Sequence, residues 1–87
     1  MSPKPLTSSQ IRAARALIRW SALQLAKETV MGVTTIRRAE LTASETKLTR
    51  VNDQAIRRVL EAAGVEFIDE NGGGPGVRLR DVQPKGS

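Results

Sequence analysis

The chain contains no cysteine and no histidine. The first absence removes disulfides, thiol nucleophiles and thiolate zinc sites. The second removes the commonest metal ligand and the commonest general base. Trp20 and Phe67 are the whole aromatic set, too few for a platform that stacks the bases of RNA or a single strand. No run approaches the ~18 apolar residues of a membrane-spanning helix. Residues 1–6 lack the apolar stretch of a signal peptide, so the expected location is the cytoplasm. Ser8, Ser9, Ser21 and Ser44 have no suitable base, and the carboxylates are scattered. The expectation is a protein that is not an enzyme, with no metal, no cofactor and no legible small-molecule ligand.

What is present is positive charge. The 87 residues carry 14 Lys and Arg against 9 Asp and Glu, a net charge of +5. Eleven of the basic residues and four of the acidic ones lie at or before Arg58; three basic and five acidic residues follow it. The excess therefore sits in the first two thirds, where it attracts polyanions, nucleic acid foremost. The plain alternative is a small domain that is basic for no special reason. A chain this short buries one modest core, hence one domain.

Helix starts are well marked. Thr7 and Gln10 have the spacing of a capping box, and Leu6 with Ile11 that of a hydrophobic staple. The spacing predicts a helix over residues 7–20, with Ile11, Ala14, Leu17 and Ile18 as its apolar stripe, after a flexible arm over residues 1–6. Ser21 with Gln24, and Trp20 with Leu25, repeat the device, so a second helix is predicted over about residues 21–29, with Trp20 in the core. Gly32 with the Met31 and Ile36 staple opens a third, over about residues 33–41. Residues 41–48 read as a loop. A fourth helix follows, capped by Thr49 or Asn52 and stopped by Gly64, with Ala55, Ile56, Val59, Leu60 and Ala63 buried.

After Gly64 the period changes. Val65-Glu66-Phe67-Ile68 and Val77-Arg78-Leu79-Arg80 read as two short antiparallel strands around a Gly-rich turn. NGGGPG is followed by neither Lys-Ser nor Lys-Thr, so it is a turn and not a P-loop. Residues 81–87 read as a disordered tail. The expected fold is mostly α: four helices, a helix-turn-helix in the second and third, and a small C-terminal β hairpin. Short edge strands can pair across a two-fold axis. Phe67, Ile68, Val77 and Leu79 are the expected dimerisation residues.

A major groove of ~12 Å admits one α-helix, braced by the helix before it. The third helix has Ile36 behind and polar or cationic residues in front. For Arg37 and Arg38 the plain alternative is a solvated face. Trp20-Ser21-x-x-x-Leu25-Ala26 followed by Thr35-Ile36-x-Arg38-x-Glu40 resembles the phage Cro and phage repressor (XRE) family, without a gap from Trp20 to Glu40. The Asn71-Gly72-Gly73-Gly74-Pro75-Gly76-Val77-Arg78-Leu79-Arg80 segment resembles a short bacterial subgroup of it.

The resemblance implies a transcription regulator that binds an inverted-repeat operator in double-stranded DNA as a homodimer, occluding or contacting RNA polymerase. It implies base contacts from Val33, Thr34, Arg37 and Arg38, and backbone contacts from Ser21, Ala22, Thr35, Lys47 and Arg50. It also implies a partly buried ion pair between Arg15 and Glu40. The chain departs from the family pattern in two places: Val30 stands where the family's turn has glycine, and Ala22 where a Gln is common. Val30 is therefore expected to fit the turn without positive φ, or the turn to differ. The departures keep two alternatives in view. One is a protein-binding module of antitoxin or antiactivator type; the other is a DNA-architectural factor of a mobile element.

Overall fold

The computed structural model describes residues 4–42, 45–70 and 72–80. Helices α1 (Ser8–Ile18), α2 (Ala22–Thr29), α3 (Val33–Ala39) and α4 (Arg50–Ala62) precede strands β1 (Val65–Ile68) and β2 (Gly76–Leu79). The fold is mostly α with a C-terminal antiparallel hairpin, as the periodicity predicted. No helix among the described residues is long and apolar enough to cross a membrane.

The helix starts follow from their caps. Thr7 Oγ1 accepts from Gln10 N–H at 3.1 Å, and Gln10 Oε1 accepts from Thr7 N–H at 2.9 Å, closing the capping box. Ser21 Oγ accepts from Gln24 N–H at 3.0 Å, but the Gln24 amide donates to Glu28 at 2.8 Å, so that box is half closed. Thr49, not Asn52, caps α4 by accepting from Asn52 N–H at 3.1 Å. Val51, which precedes Asn52 and would pack on Ile56 were Asn52 the cap, is left 74% exposed.

Helix α1 stops at Ile18, short of the expected residue 20. Arg19 takes φ 59°, ψ 37°, and Trp20 N–H donates to Arg15 O at 2.9 Å. This is the 6→1 bond of a Schellman ending, here without its usual glycine.

The core is Leu6, Ile11, Ala14, Leu25, Ala26, Ile36, Ile56, Leu60 and Val65. Trp20 is half-buried against it. Leu17, expected in the α1 stripe, and Leu41, expected at the end of α3, are instead exposed. Leu41 lies beyond the last helical residue, so the helical period no longer decides where it points.

Two further expectations change. Leu6, placed in a flexible arm, is 1% exposed, and its N–H donates to Asp53 Oδ1 at 3.0 Å. Arg57 donates to Lys4 O at 2.9 Å, so residues 4–6 are docked on α4. Residues 1–3 of the arm and the tail, 81–87, lie outside the described residues.

In the hairpin, Val65 pairs with Leu79 and Phe67 with Val77, and β2 begins and ends one residue earlier than expected. Phe67 and Val77 pack on this chain's own core, with the Arg57 guanidinium 5.3 Å from the Phe67 ring centre. The Gln10 amide ties the hairpin down by donating to Gly76 O at 3.0 Å and Ile68 O at 3.3 Å. Of the four expected dimerisation residues, two are therefore spent within the chain. Ile68 is half-buried, and Leu79 is 45% exposed.

Candidate nucleic-acid interface

Helices α2 and α3 are joined by three residues, and the turn departs from its expected conformation. Val30 does take positive φ (58°, ψ 40°), with Val30 N–H donating to Lys27 O at 3.3 Å and Met31 N–H to Ala26 O at 2.9 Å. A β-branched residue therefore adopts the left-handed conformation here without glycine. That conformation costs roughly 1–2 kcal/mol for an L-residue. The side chain is 91% exposed, so packing offsets little of the cost.

The buried side of α3 is Ile36 and Ala39, at 0% and 1% exposure. Thr34, Arg37 and Arg38 are exposed, as expected for base-reading positions. Among the described residues neither arginine has an ion-pair partner. Val33 is the correction in this set: it is half-buried and packs partly against the core.

The C-terminal end of α3 is gripped by one face of α1. Residues 8, 12 and 15 lie at helical spacing on that face. The Ser8 hydroxyl donates to Ala39 O, and the Arg12 guanidinium to Glu40 O. Arg15 makes a bidentate pair with Glu40, 2.7 Å from Nε to Oε2 and 2.7 Å from Nη2 to Oε1. Its Nη1 donates to Trp20 O at 2.8 Å. The Glu40 hydrogen bond raises the Arg15 pKa above its ordinary value against the opposing effect of burial, so the guanidinium stays charged. The Arg15–Glu40 pair matches the sequence expectation. Ser8 and Arg12 escaped it, although their spacing with Arg15 was there to be read.

The residues expected at the DNA backbone are divided. Thr35 and Lys47 line one cleft of about 240 Å³ between α3 and α4, together with Arg38. Lys47 is exposed at φ 63°. Arg50 is exposed in the first turn of α4, and Ser21 is exposed ahead of α2; neither lines the cleft. Ala22 is half-buried and packs against the core, so only its backbone suits a phosphate. Thr46, which also lines the cleft, carried no sequence signal because the loop before α4 has no period to place it; Thr49 and Asn52, read only as cap candidates, line it as well.

No protein-family model matches the chain, and no curated protein matches it in sequence.

Proposed function

We propose that this chain is a sequence-specific double-stranded DNA-binding regulator of transcription of the phage Cro and repressor (XRE) kind, acting in the cytoplasm as a homodimer on an inverted repeat. The observation that carries this reading is α3 itself. Its outward side offers Thr34, Arg37 and Arg38 with no acidic partner among the described residues, while α1 grips its inner end. A helix so held enters a major groove as a unit. Arg38 forks onto guanine O6 and N7, a contact worth about 1–3 kcal/mol of discrimination. The Thr34 methyl and the exposed part of Val33 meet thymine methyls, and Arg37 reads a neighbouring base. Ser21, the Ala22 N–H, Thr35, Lys47 and Arg50 take backbone phosphates. Half-sites lie about 10–10.5 bp apart if the dimer is two-fold symmetric. The exposed part of the hairpin around Ile68 and Leu79 is the side left for a second copy.

Selection of bound duplexes from a random pool, repeated at two salt concentrations, tests this. The expected result is an enriched inverted repeat with a steep salt slope. Arg38→Ala is expected to relax one base position. Lys47→Ala is expected to weaken all sites alike and to lower the salt slope by about one. No enriched sequence, or no retention at physiological salt, sinks the reading. A second reading, a protein-binding module of antitoxin or antiactivator type, draws support from Leu23 and Val30, which are 54% and 91% exposed. Capture of a protein partner by a chain that retains no DNA would favour it.

A further inference from the structure

The α3–α4 cleft has more hydrogen-bond donors than it uses. Thr46 Oγ1 already accepts from Leu48 N–H at 3.1 Å, and Thr49 Oγ1 from Asn52 N–H at 3.1 Å. Each hydroxyl has one of its two lone pairs engaged and still has its proton to donate. Thr35, the Asn52 amide, Arg38 and Lys47 add further donors, and among the described residues none of these meets an acceptor. Thr46 is only 7% exposed and lines the cleft, which puts its hydroxyl within a largely buried wall. No carboxylate lines the cleft. A recess with two cations, three hydroxyl protons and an amide, and no negative group, selects a small anion with several acceptor oxygens.

Two further features narrow the class. Ala39 and Leu48 give the recess an apolar part beside its donors. Its volume of about 240 Å³ is below the usual range for drug-sized ligands, which begins at about 300 Å³. We infer that the α3–α4 cleft binds a small phosphate ester, its phosphate held by Arg38, Lys47 and the Thr46 hydroxyl and its short carbon chain on Ala39 and Leu48. The site stands on the cleft alone. Its consequence rests on the DNA-binding reading: Arg38 and Lys47 cannot serve ester and duplex together, so the ester releases the operator.

The test is an amide NMR titration of the full chain with glycerol 3-phosphate, and separately with inorganic phosphate. Saturable shifts confined to residues around 35, 46–49 and 52 are expected with both. Lys47→Ala, at an exposed position, is expected to weaken binding about ten-fold, the worth of one charge-assisted hydrogen bond. Arg58→Ala, exposed on α4 and outside the cleft, is expected to change nothing. Shifts that grow without saturating, or that spread to Arg19 and Arg58, mean salt screening and overturn the inference. A selected duplex, with and without the ester, separates the two readings. If the ester binds and no duplex ever does, the ligand site stands and the DNA-binding reading falls. If the duplex shifts the cleft and the ester does not, the recess is a seat for backbone phosphate, and the ligand inference is overturned.

Discussion

The two ends of α3 are held in different ways. Its C-terminal end is fixed by side chains: Ser8, Arg12 and Arg15 of α1 satisfy Ala39 O, Glu40 O and the Glu40 carboxylate. Its N-terminal end has no polar side-chain anchor and rests on the backbone and on the partial packing of Met31 and Val33 against the core. Gly32 caps it with no side-chain hydrogen bond, and the turn before it puts Val30 in the left-handed region. The first end is polar, satisfied and mostly buried; the second is strained and exposed. A helix anchored at one end through an ion pair and two hydrogen bonds to carbonyls keeps its direction, while the end that would meet a base edge stays clear of competing side chains. In the proposed reading the grip sets where α3 lies, and the turn is the weaker of its two supports.

The comparison breaks most directly at Arg15. Glu40 has 8% of its side chain exposed, and without Arg15 its carboxylate is left buried and uncompensated. Arg15→Ala is expected to cost about 3 kcal/mol in denaturant unfolding. A loss below about 1 kcal/mol, the worth of a surface pair, would move the grip to Ser8 and Arg12. At the other end the sign reverses. Val30→Gly relieves the left-handed conformation and loses little packing. Net of glycine's greater chain entropy, a gain of about 0.5–1 kcal/mol is expected in the same measurement. A loss instead would show that the valine side chain supports the turn.

The smallest effect sharpens the comparison by offering a third kind of support, a buried carboxylate away from α3. Burial raises the Asp53 pKa, against the Leu6 N–H and the nearby Arg57, which both lower it. The folded chain therefore holds the Asp53 proton more tightly than the unfolded chain does. The stability this contributes is full below the ordinary carboxylate range and is lost as pH rises through the raised value. Asp53→Asn keeps an oxygen for the Leu6 N–H. It is expected to gain on the wild type as pH rises from about 3 to about 7, followed by thermal unfolding across that range. The opposite trend would mean that the interaction with Arg57 outweighs burial.

Much of the helical frame was legible because its starts are local. Thr7 and Ser21 each cap a helix through a backbone N–H three residues on, a contact that spacing alone specifies; for α4 the spacing left Thr49 and Asn52 open, and Thr49 is the cap. β1 was read to the residue. Helix ends were harder. Arg19 and Val30 close α1 and α2 in the left-handed conformation without the glycine that normally announces such an ending. In the candidate site, Thr34, Arg37 and Arg38 were legible as the side of α3 away from Ile36. Val33 was not, because in a two-turn helix the width of the buried side depends on what packs behind it. The cleft was illegible for a like reason: its walls come from α3, from the loop before α4 and from the first turn of α4.

The sequence by itself determined where the first three helices begin, where the hairpin lies, that the chain is basic in its first two thirds and that α3 has one cationic side. These rest on contacts within a few residues or on composition, which need no partner. Only the tertiary structure decided that Leu6 is core and not arm, and that Phe67 and Val77 pack on their own chain. Only it brought Ser8 and Arg12 to the end of α3 and gathered seven polar side chains around one recess. Each of those depends on which distant surface arrives to bury an apolar group or to satisfy a polar one, and spacing along the chain does not encode that arrival.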